Sequence, residues 1–349
     1  MKTKKYWHRQ YVKQLEEKLH SGKPIVFVDK VVIYILLALC IVLFGLCVRK
    51  ISVKTQRNII FAKQIDELLE KENLLKIIFF DVSQGDSALV CLPNKKNFLI
   101  DTGPKEGLLI QESEEGKVVS EIDAGKEVIV PFLKKYNLTI DGVIVTHPHS
   151  DHFGGLFYIL ESGFIPNWFI DSGIETSNPL YYELLQKLKE KKVQYKIAKL
   201  GKLNLDPVVD IEILAPIQIY QAENVDRAIN NSSIVIKLTY DNFSVLFTAD
   251  IEVFAEIDLL EYKEKLKSTV LKVPHHGSFT SSSEPFLDMV SPEVAIISCG
   301  KGNPFGHPHQ DTIEKLNKRN IKIYRTDQNG NITILTDGKN YVVKIEREY

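Results

Sequence analysis

The composition of the chain sets the first limits on its structure and function. Its 349 residues include 44 Lys/Arg and 45 Asp/Glu, and 44% are hydrophobic, as in a globular protein with one large or two modest domains. Residues 1–73 carry 14 basic and 7 acidic side chains, whereas residues 74–349 carry 30 basic and 38 acidic ones. The acidic balance of the longer part argues against a protein that grips nucleic acid through a broad basic face.

The N-terminal part predicts a membrane anchor. A polar segment with eight Lys/Arg, residues 1–30, precedes the 18 uncharged residues Val31–Val48. As a helix this run would span roughly 27 Å, close to the hydrocarbon thickness of a bilayer. A cleaved signal peptide fits poorly, because the basic segment is long and no small-residue cleavage site follows it. We therefore expect one transmembrane helix.

Charges on the two sides of the span predict its orientation. Eight Lys/Arg precede it and five follow within a comparable distance, so the positive-inside rule places the N-terminus in the cytoplasm and the large domain outside the cell. Residues 49–73 have the apolar spacing of an amphipathic helix, either a stalk or a dimerisation helix. The expected organisation is a basic cytoplasmic segment (1–30), a transmembrane helix (31–48), a helical stalk (49–73) and one large domain (74–349). The sequence identifies no protein partner.

From Leu75 onward the sequence alternates between strand-like and helix-like segments. The predicted strands are Lys76–Val82, Asp86–Leu92, Asn97–Asp101, Gly142–Val145, Val208–Leu214, Ser233–Thr239, Ser244–Thr248, Thr269–Val273, Val294–Cys299, Ile321–Tyr324 and Ile332–Leu335. The predicted helices are Glu127–Tyr136, His152–Leu160, Leu180–Lys191, Ile251–Leu266 and Asp311–Arg319. Two groups of strands with helices outside them predict an α/β protein with four layers in the order α/β/β/α.

A histidine-rich motif, THPHSDH at residues 146–152, directly follows the predicted strand Gly142–Val145. In an extended segment, alternate side chains point to the same side, so His147 and His149 can face one ion. Asp151 and His152 come after a turn and can face a second ion. Imidazole nitrogen and carboxylate oxygen are both ordinary zinc ligands, so the motif predicts a metal site.

Other histidines support this interpretation. Seven of the nine histidines lie in three short clusters, at residues 147–152, 275–276 and 307–309. Each cluster follows an apolar, strand-like run. Strand ends are where a layered α/β protein gathers the residues of its site, so the three clusters are expected to meet.

The motif THPHSDH resembles the metal-binding signature of the metallo-β-lactamase superfamily. Six further motifs occur in order within residues 75–349: FFDVSQGDSALV, FLIDTG, NNSSIVIKL, VLFTADI, LKVPHHGSFTSSS and GNPFGHP. Together they resemble the C-terminal hydrolase domain of the ComEC competence DNA-uptake proteins and, more distantly, the phosphorylcholine esterases. Ser83 stands where the family's turn usually has glycine. The single predicted span is unlike the polytopic full-length competence proteins, so the resemblance does not extend to a transport role.

The resemblance implies a four-layer αββα fold and two divalent metal ions, zinc or alternatively manganese. It assigns His147 and His149 to the first ion and Asp151 and His152 to the second. Asp250, at the end of a strand, corresponds to the carboxylate that bridges the two ions. Asp250 would also suit the cap of the helix expected from Ile251, and both roles can hold together.

The pair His275 and His276 leaves an alternative open. We expect His275 to complete the second metal site and His276 to meet substrate or to orient a ligand. Many relatives place another histidine on the first ion, where this chain has Asn230 and Asn231. Amides are poor zinc ligands, so the first site would hold its ion weakly or accept a harder ion such as Mn²⁺, and Asn231 would lie close to substrate.

The remaining candidates surround these ligands. We expect Asp101 to support the metal loop through hydrogen bonds, with Asp81 and Asp86 in a similar role or as turn caps. The catalytic candidates are Asp151, His276 and His307, of which His307 would donate a hydrogen bond to phosphate or protonate the leaving oxygen. Four further side chains are expected at the mouth of the site and are candidates to contact substrate: Ser278, Asn303, Lys301 and Lys272.

These features predict a membrane-anchored, metal-dependent hydrolase of phosphodiesters, a ComEC-like nuclease acting on DNA. A cell-envelope phosphodiesterase of the phosphorylcholine or teichoic-acid type is the first alternative, favoured by the acidic domain and the lone anchor. A β-lactamase is disfavoured because the surrounding motifs match a different branch. A non-catalytic, metal-stabilised DNA-capture module on the cell surface is the non-enzymatic alternative.

Overall fold

The computed structural model describes residues 73–113, 116–221 and 224–348, together with the isolated Lys13 and Glu17. Contacts within the chain divide it into two compact units, Met1–Glu67 and Leu68–Tyr349. The predicted span Val31–Val48 and nearly all of the predicted stalk lie outside the described residues, so the membrane anchor and its orientation stay predictions. No helix within the described ranges is long and apolar enough to cross a membrane.

Eight strands form the first sheet. They are β1 (Leu75–Phe79), β2 (Ser87–Cys91), β3 (Asn97–Thr102), β6 (Gly142–Ile144), β7 (Trp168–Asp171), β8 (Gln194–Ile197), β16 (Ile332–Thr336) and β17 (Tyr341–Ile345). Across the sheet their order is β17-β16-β1-β2-β3-β6-β7-β8. The strands from β3 to β8 run parallel, and the others pair antiparallel. A separate hairpin consists of β4 (Leu109–Ser113) and β5 (Gly116–Val119).

Seven strands form the second sheet. They are β9 (Gly201–Lys202), β10 (Asp210–Ala215), β11 (Val235–Tyr240), β12 (Phe243–Phe247), β13 (Val270–Lys272), β14 (Val294–Ile297) and β15 (Lys322–Arg325). Their order is β15-β14-β13-β12-β11-β10-β9, with the strands from β12 to β15 parallel. Each sheet therefore has one parallel half.

Short helices connect these strands. They are α1 (Val130–Lys135), α2 (Ser150–Phe153), α3 (Leu156–Glu161), α4 (Pro179–Glu190), α5 (Val225–Asn231), α6 (Val253–Leu259), α7 (Glu284–Val290), α8 (Gln310–Lys318) and α9 (Thr326–Asn329). A π-helical turn, Gly125–Ile129, leads into α1, and 3-10 segments occur at Leu260–Leu266 and Pro274–Gly277.

Three separate apolar cores show how the layers stack. One core contains side chains from both sheets, including Phe79 and Phe247, whose rings stack 5.6 Å apart. A second joins the first sheet to its helices, and a third joins the second sheet to α6, α7 and α8. Side chains of a strand alternate between two faces, so each sheet packs on the other sheet with one face and on helices with the other. The prediction of an α/β protein with two sheets is confirmed.

The boundaries of several elements differ from the sequence prediction. The expected helix His152–Leu160 is two helices, α2 and α3, and the expected helix Ile251–Leu266 ends as α6 at Leu259 before a 3-10 segment in which Lys263 has a left-handed φ of 50°. The sequence prediction missed β7, β8, β9, β17, the hairpin, α5, α7 and α9. Strand β8 is an example: its four residues, Gln-Tyr-Lys-Ile, are all exposed at the edge of the sheet and do not form the apolar run by which most of the other strands were predicted.

The parallel halves of the two sheets place their C-terminal strand ends on one side. Strands β3 and β6 lead into Asp101 and the histidine motif, and β12, β13 and β14 lead into the other histidine and aspartate residues of the sequence prediction. The outer ends of parallel strands are the usual binding position in α/β proteins.

Candidate metal centre

The loop after β6 places the imidazole rings of His147 and His149 next to each other. The Nε2 atom of His147 and the Nδ1 atom of His149 lie 3.1 Å apart, and the two rings meet edge to face. His149 keeps an extended backbone and caps α2, so the helix begins immediately after it and carries Asp151 and His152 in its first turn. His147 and His152 are fully buried and Asp151 is nearly so, which makes this loop part of the core rather than a solvated surface loop.

Asp101 holds this loop from behind. Its Oδ1 accepts a hydrogen bond from the backbone N–H of Thr146 at 2.7 Å, and its Oδ2 accepts one from the Thr146 hydroxyl at 2.8 Å. The same Oδ2 lies 2.9 Å from Nδ1 of His152, so Nε2 of that ring is directed into the site. This is the role expected for Asp101, and a carboxylate behind a histidine is the common way to orient a ligand ring.

The second sheet supplies the facing side of the cluster. Asp250 follows β12, and its Oδ2 lies 3.4 Å from Nε2 of His152 and 3.2 Å from Nε2 of His276. Nε2 of His276 is also 3.5 Å from Oδ2 of Asp151. The other ring nitrogen of His276, Nδ1, donates a hydrogen bond to the carbonyl of Ser298 at 2.9 Å. The two sheets thus each contribute an aspartate and at least one histidine to the same buried cluster.

The spacing of these atoms suits ligands of a shared ion. Nε2 of His152, Nε2 of His276 and Oδ1 of Asp250 are buried without a hydrogen-bond partner. Atoms bound at about 2.0–2.2 Å to a tetrahedral ion lie roughly 3.3 Å from one another. Four distances between imidazole nitrogens and neighbouring ligand atoms of the cluster, 3.1–3.5 Å, match that value. The residues present therefore fit divalent metal ions.

Four overlapping triads make the same point. Their ligand atoms lie within 4.8 Å of one another, and they are His147/His152/Asp250, Asp151/His152/His276, Asp86/Asp101/His152 and Asp86/Asp250/His276. Asp250 belongs to one triad with the motif histidines and to another with His276, as a carboxylate between two ions would. The alternative role of Asp250 as a helix cap is wrong, because α6 begins later, at Val253, with Glu252 in the cap position.

Electrostatics in the cluster favour a bound cation. Burial opposes the ionisation of Asp250, but the imidazoles of His276 and His152 outweigh burial and hold the pKa of Asp250 well below its ordinary value. Burial would lower the pKa of both histidines, yet nearby carboxylates, Asp250 foremost, raise each pKa well above the ordinary value. The buried carboxylates therefore require positive charge beside them, which protonated imidazoles supply in this arrangement and which a divalent ion bound by neutral imidazoles would supply instead.

The expectation for the histidine pair is reversed by the structure. His276, and not His275, reaches Asp250 and Asp151. Nδ1 of His275 instead lies 3.2 Å from the hydroxyl of Thr280 and 3.8 Å from a carboxylate oxygen of Glu252. Both histidines adopt a left-handed backbone, with φ of 48° and 53°, and this tight turn sends the two rings in different directions.

Asp86 lies closer to the cluster than the sequence suggested, and Lys272 pairs with it. The Nζ atom of Lys272 is 2.6 Å from Oδ2 of Asp86, and both side chains are buried. We expected Lys272, which precedes the histidine pair, to contact substrate at the mouth of the site. That expectation is wrong, because the lysine neutralises a buried carboxylate beneath the site. Gly85, with φ of 142°, lets the Asp86 N–H reach the carbonyl of Asp151, where a Cβ would collide.

The two asparagines have different positions. Asn231 is buried, and its Oδ1 accepts hydrogen bonds from the backbone N–H groups of Glu252 and Ala255, so it anchors the start of α6 from behind the cleft. Asn230 is the one that lines the cleft beside the cluster. Its Oδ1 is buried without a hydrogen-bond partner, and its amide nitrogen lies 3.3 Å from Glu252.

His307 and Asn303 form one unit on the rim. The side-chain amide of Asn303 donates to the carbonyl of His307 at 2.6 Å and accepts from its backbone N–H at 2.9 Å, so Asn303 positions the loop and does not itself reach into the cleft. Burial, followed by His276 and His275, lowers the pKa of His307 to about 3. The neutral imidazole suits the predicted hydrogen bond to phosphate better than the predicted protonation of a leaving oxygen.

Three other candidates lie outside the cluster. Asp81 pairs with Arg347 and its backbone N–H donates to Asn331, so its carboxylate braces the C-terminal segment and not the metal loop. The Ser278 hydroxyl is buried and lies 3.0 Å from the Thr280 hydroxyl, which in turn meets His275. Lys301 is exposed in the turn after Gly300.

The cleft in front of the cluster contains residues that the sequence prediction missed. They are Gln84, Asn224, Asp226, Arg227, Glu252 and Phe305. Within the described part of the chain, one of the residues that line this cleft is a lysine or arginine, namely Arg227. Its Nε donates a hydrogen bond to buried Glu252 at 2.8 Å. Arg227 lies on α5, an element the sequence prediction did not contain.

Comparison with known proteins agrees with this site. A family model described as the metallo-beta-lactamase superfamily matches residues 80–301. ComE operon protein 3 of Bacillus subtilis (strain 168) is 33% identical over 261 residues, which cover 74% of this chain and 32% of that protein. Competence protein ComA of Neisseria gonorrhoeae is 30% identical over 300 residues, which cover 85% of this chain and 38% of that protein. The chain thus spans about a third of the length of these relatives, and its resemblance to competence proteins is confirmed.

Among solved structures, Igni18, a metallo hydrolase from Ignicoccus hospitalis, is similar with a TM-score of 0.44 and 18% identity, covering 79% of this chain and 99% of that chain. The family match contains the histidine motif, Asp250 and the histidine pair, the residues that converge in the structure. The chain therefore belongs to the metallo-beta-lactamase superfamily of metal-dependent hydrolases, whose fold implies divalent metal ions.

Proposed function

We propose that this protein is a phosphodiesterase that uses two divalent metal ions, with DNA as its substrate. The observation that carries the proposal is the convergence of ligand atoms from His147, His152, His276 and Asp250 at the ends of both sheets, with buried atoms of the last three lacking a hydrogen-bond partner. The names of the relatives, a competence protein and a ComE operon protein, favour DNA among the phosphodiesters. The acidic balance of residues 74–349 favours an envelope phosphodiester instead, and the assay below separates the two.

The residues of the chain have separate tasks in this reaction. His147, His149, Asp151, His152, His276 and Asp250 would hold the ions. A pair of such ions supplies Lewis acidity, which generates hydroxide from water near neutral pH and offsets the charge of a phosphodiester. Asp101 fixes the direction of the His152 ring. The rings of His275 and His307 lie 5.5 Å apart over the cleft and can donate hydrogen bonds to phosphate oxygens.

The test compares substrates and metals on the whole chain. The purified 349-residue protein, stripped with a chelator, is assayed with bis-p-nitrophenyl phosphate and with single- and double-stranded DNA, adding Zn²⁺ or Mn²⁺. We expect hydrolysis of the ester and of DNA to return with one of these metals. Rapid cleavage of phosphorylcholine esters with both forms of DNA intact would contradict the nuclease proposal. DNA binding without any hydrolysis would indicate a capture module.

We also propose a single-pass membrane location with the catalytic domain outside the cell, supported by the uncharged run Val31–Val48 and its flanking charges. Protease added to intact cells should then remove the domain beyond Arg49. Protection of the domain until the cells are lysed would reverse the orientation.

A further inference from the structure

A second depression continues from the metal cleft along helix α6. Phe254 and Ile257, three residues apart on one face of this helix, are each 55% exposed, and Tyr220 lies beside them. Asn224 and Arg227 line both the metal cleft and this groove, so the two are continuous. Its volume of about 570 Å³ falls within the range of ~300–1,000 Å³ typical of small-molecule sites.

The groove combines aromatic surface with a cation at the end nearest the metals. The guanidinium carbon of Arg227 lies 5.8 Å from the centre of the Phe254 ring. The salt bridge from Arg227 to Glu252 fixes the guanidinium at the boundary between groove and cleft. The acid inside the groove, Asp258, already accepts hydrogen bonds from the Tyr220 hydroxyl at 2.5 Å and from Gln218 at 2.8 Å. A planar ligand with a negative charge on its cleft side is the chemistry that these groups complement.

We propose that this groove is a nucleobase subsite, in which a base stacks on Phe254 and Ile257 while its phosphate lies between Arg227 and the metal cluster. The inference rests on the proposed phosphodiesterase function and names the part of the substrate that lies beyond the cleaved bond. Base stacking on aromatic side chains tolerates any base, so the subsite selects nucleotides over other phosphodiesters without reading sequence. A quaternary ammonium group is the other ligand of aromatic pockets, and the experiment below includes one.

The experiment compares esters that release the same product. Thymidine 5′-p-nitrophenyl phosphate carries a base, methyl p-nitrophenyl phosphate carries none, and p-nitrophenyl phosphorylcholine carries a quaternary ammonium. We expect the whole chain to prefer the thymidine ester over the methyl ester in kcat/KM, and Phe254→Ala to reduce this preference about 5–100-fold, mainly through KM. The control is Tyr182→Ala on helix α4, whose ring is similarly exposed at 54% and far along the chain, and it should leave every ratio unchanged.

Each outcome has a distinct meaning. Absence of hydrolysis of all three esters would overturn the proposed function itself. Hydrolysis of the methyl ester with no preference for the thymidine ester, or an equal change of both in Phe254→Ala, would overturn the subsite alone. A preference for the phosphorylcholine ester that Phe254→Ala removes would reassign the groove to a cationic ligand. Loss of the thymidine preference in Phe254→Ala with methyl-ester hydrolysis retained within twofold would support the subsite.

Discussion

The two sheets contribute to the metal centre in different ways. The first sheet delivers His147, His149, Asp151 and His152 from a single loop after β6 and braces that loop with one carboxylate, Asp101. The second sheet delivers its groups from the separate ends of β12, β13 and β14. One side is therefore a contiguous motif, and the other exists only once three parallel strands have been brought into register.

The two sides also differ in backbone conformation. On the first sheet the ligand His149 has an ordinary extended backbone at the cap of α2, although the supporting Asp101 has a left-handed φ of 58°. On the second sheet, Ala249, His275 and His276 all have left-handed φ values between 48° and 53°. Such conformations are uncommon for residues other than glycine and persist only where the surrounding packing imposes them. The second sheet thus depends on tertiary packing to aim its ligands, and mutations should affect the two sides differently.

The largest expected effect separates the adjacent histidines of the second sheet. His276→Ala should abolish hydrolysis and lower the bound metal, because its Nε2 lies among the carboxylates of Asp151 and Asp250. His275→Ala should keep its metal and lose activity only partly, since this ring faces Thr280 and the cleft. Metal content by mass spectrometry and phosphodiester hydrolysis measure the two properties separately. Loss of metal in His275→Ala but not in His276→Ala would restore the ligand expected from the sequence.

The next largest expected effect is on the free energy of unfolding when the buried ion pair beside the cluster is broken. Lys272→Met removes the closest charged partner of buried Asp86 and should lower the free energy of unfolding by about 3–5 kcal/mol, because the buried carboxylate then keeps the longer contact with His276 at 3.4 Å but loses its lysine. Lys202→Met is the matched control, since Lys202 pairs with Asp210 at 2.8 Å on the exposed edge of the second sheet, and its loss should change the free energy of unfolding far less. Urea unfolding of both variants measures the difference. Equal losses would show that the Asp86 pair does not support the site.

The first sheet can be tested through its supporting carboxylate. Asp101→Asn should lower metal affinity ~10–100-fold, the usual loss when the partner of a ligand histidine is removed. Asp81→Asn is the control, because the sequence suggested the same role for Asp81 but its carboxylate pairs with Arg347. Competition with a chromophoric chelator gives both affinities. An equal decrease in the two variants would mean that the effect is not local to His152.

This difference between the sheets explains which parts of the site could be predicted from the sequence. The contiguous motif identifies His147, His149, Asp151 and His152, and Asp101 lies where it was expected because a strand end leads directly to it. The sequence cannot decide between His275 and His276, since their left-handed turn sends adjacent side chains apart.

The buried lysine and the cleft arginine were harder to predict for another reason. Asp86 precedes β2 and Lys272 lies in β13, so the two residues are far apart in the sequence and their pairing can be seen only in the folded chain. Arg227 lies on the seven-residue helix α5, which is too short and too polar to give a periodic apolar signal. The layered arrangement of two sheets could be predicted because most strands of both sheets are apolar runs, whereas the exposed edge strand β8 is not such a run and was missed.

The smallest expected effect concerns the salt dependence of DNA binding, where Lys272 no longer counts as a contact. Two cationic side chains can contact DNA phosphates near the cleft. Within the described residues, Arg227 lines the cleft itself. Exposed Lys301 follows Gly300, whose backbone N–H donates a hydrogen bond to the cleft residue Gln84. With about two phosphate contacts, the log–log slope of affinity against salt should be near −1.4 to −1.8, far shallower than for a broad basic face.

Arg227→Ala should reduce the magnitude of this slope by about 0.7–0.9 at equal metal content, and Lys202→Met, on the edge of the second sheet, should leave it unchanged. Titration of fluorescent DNA at several salt concentrations, with a metal that binds but does not support cleavage, measures the slope. A steep slope that Arg227→Ala does not alter would place the DNA on another surface and separate DNA binding from the metal cleft.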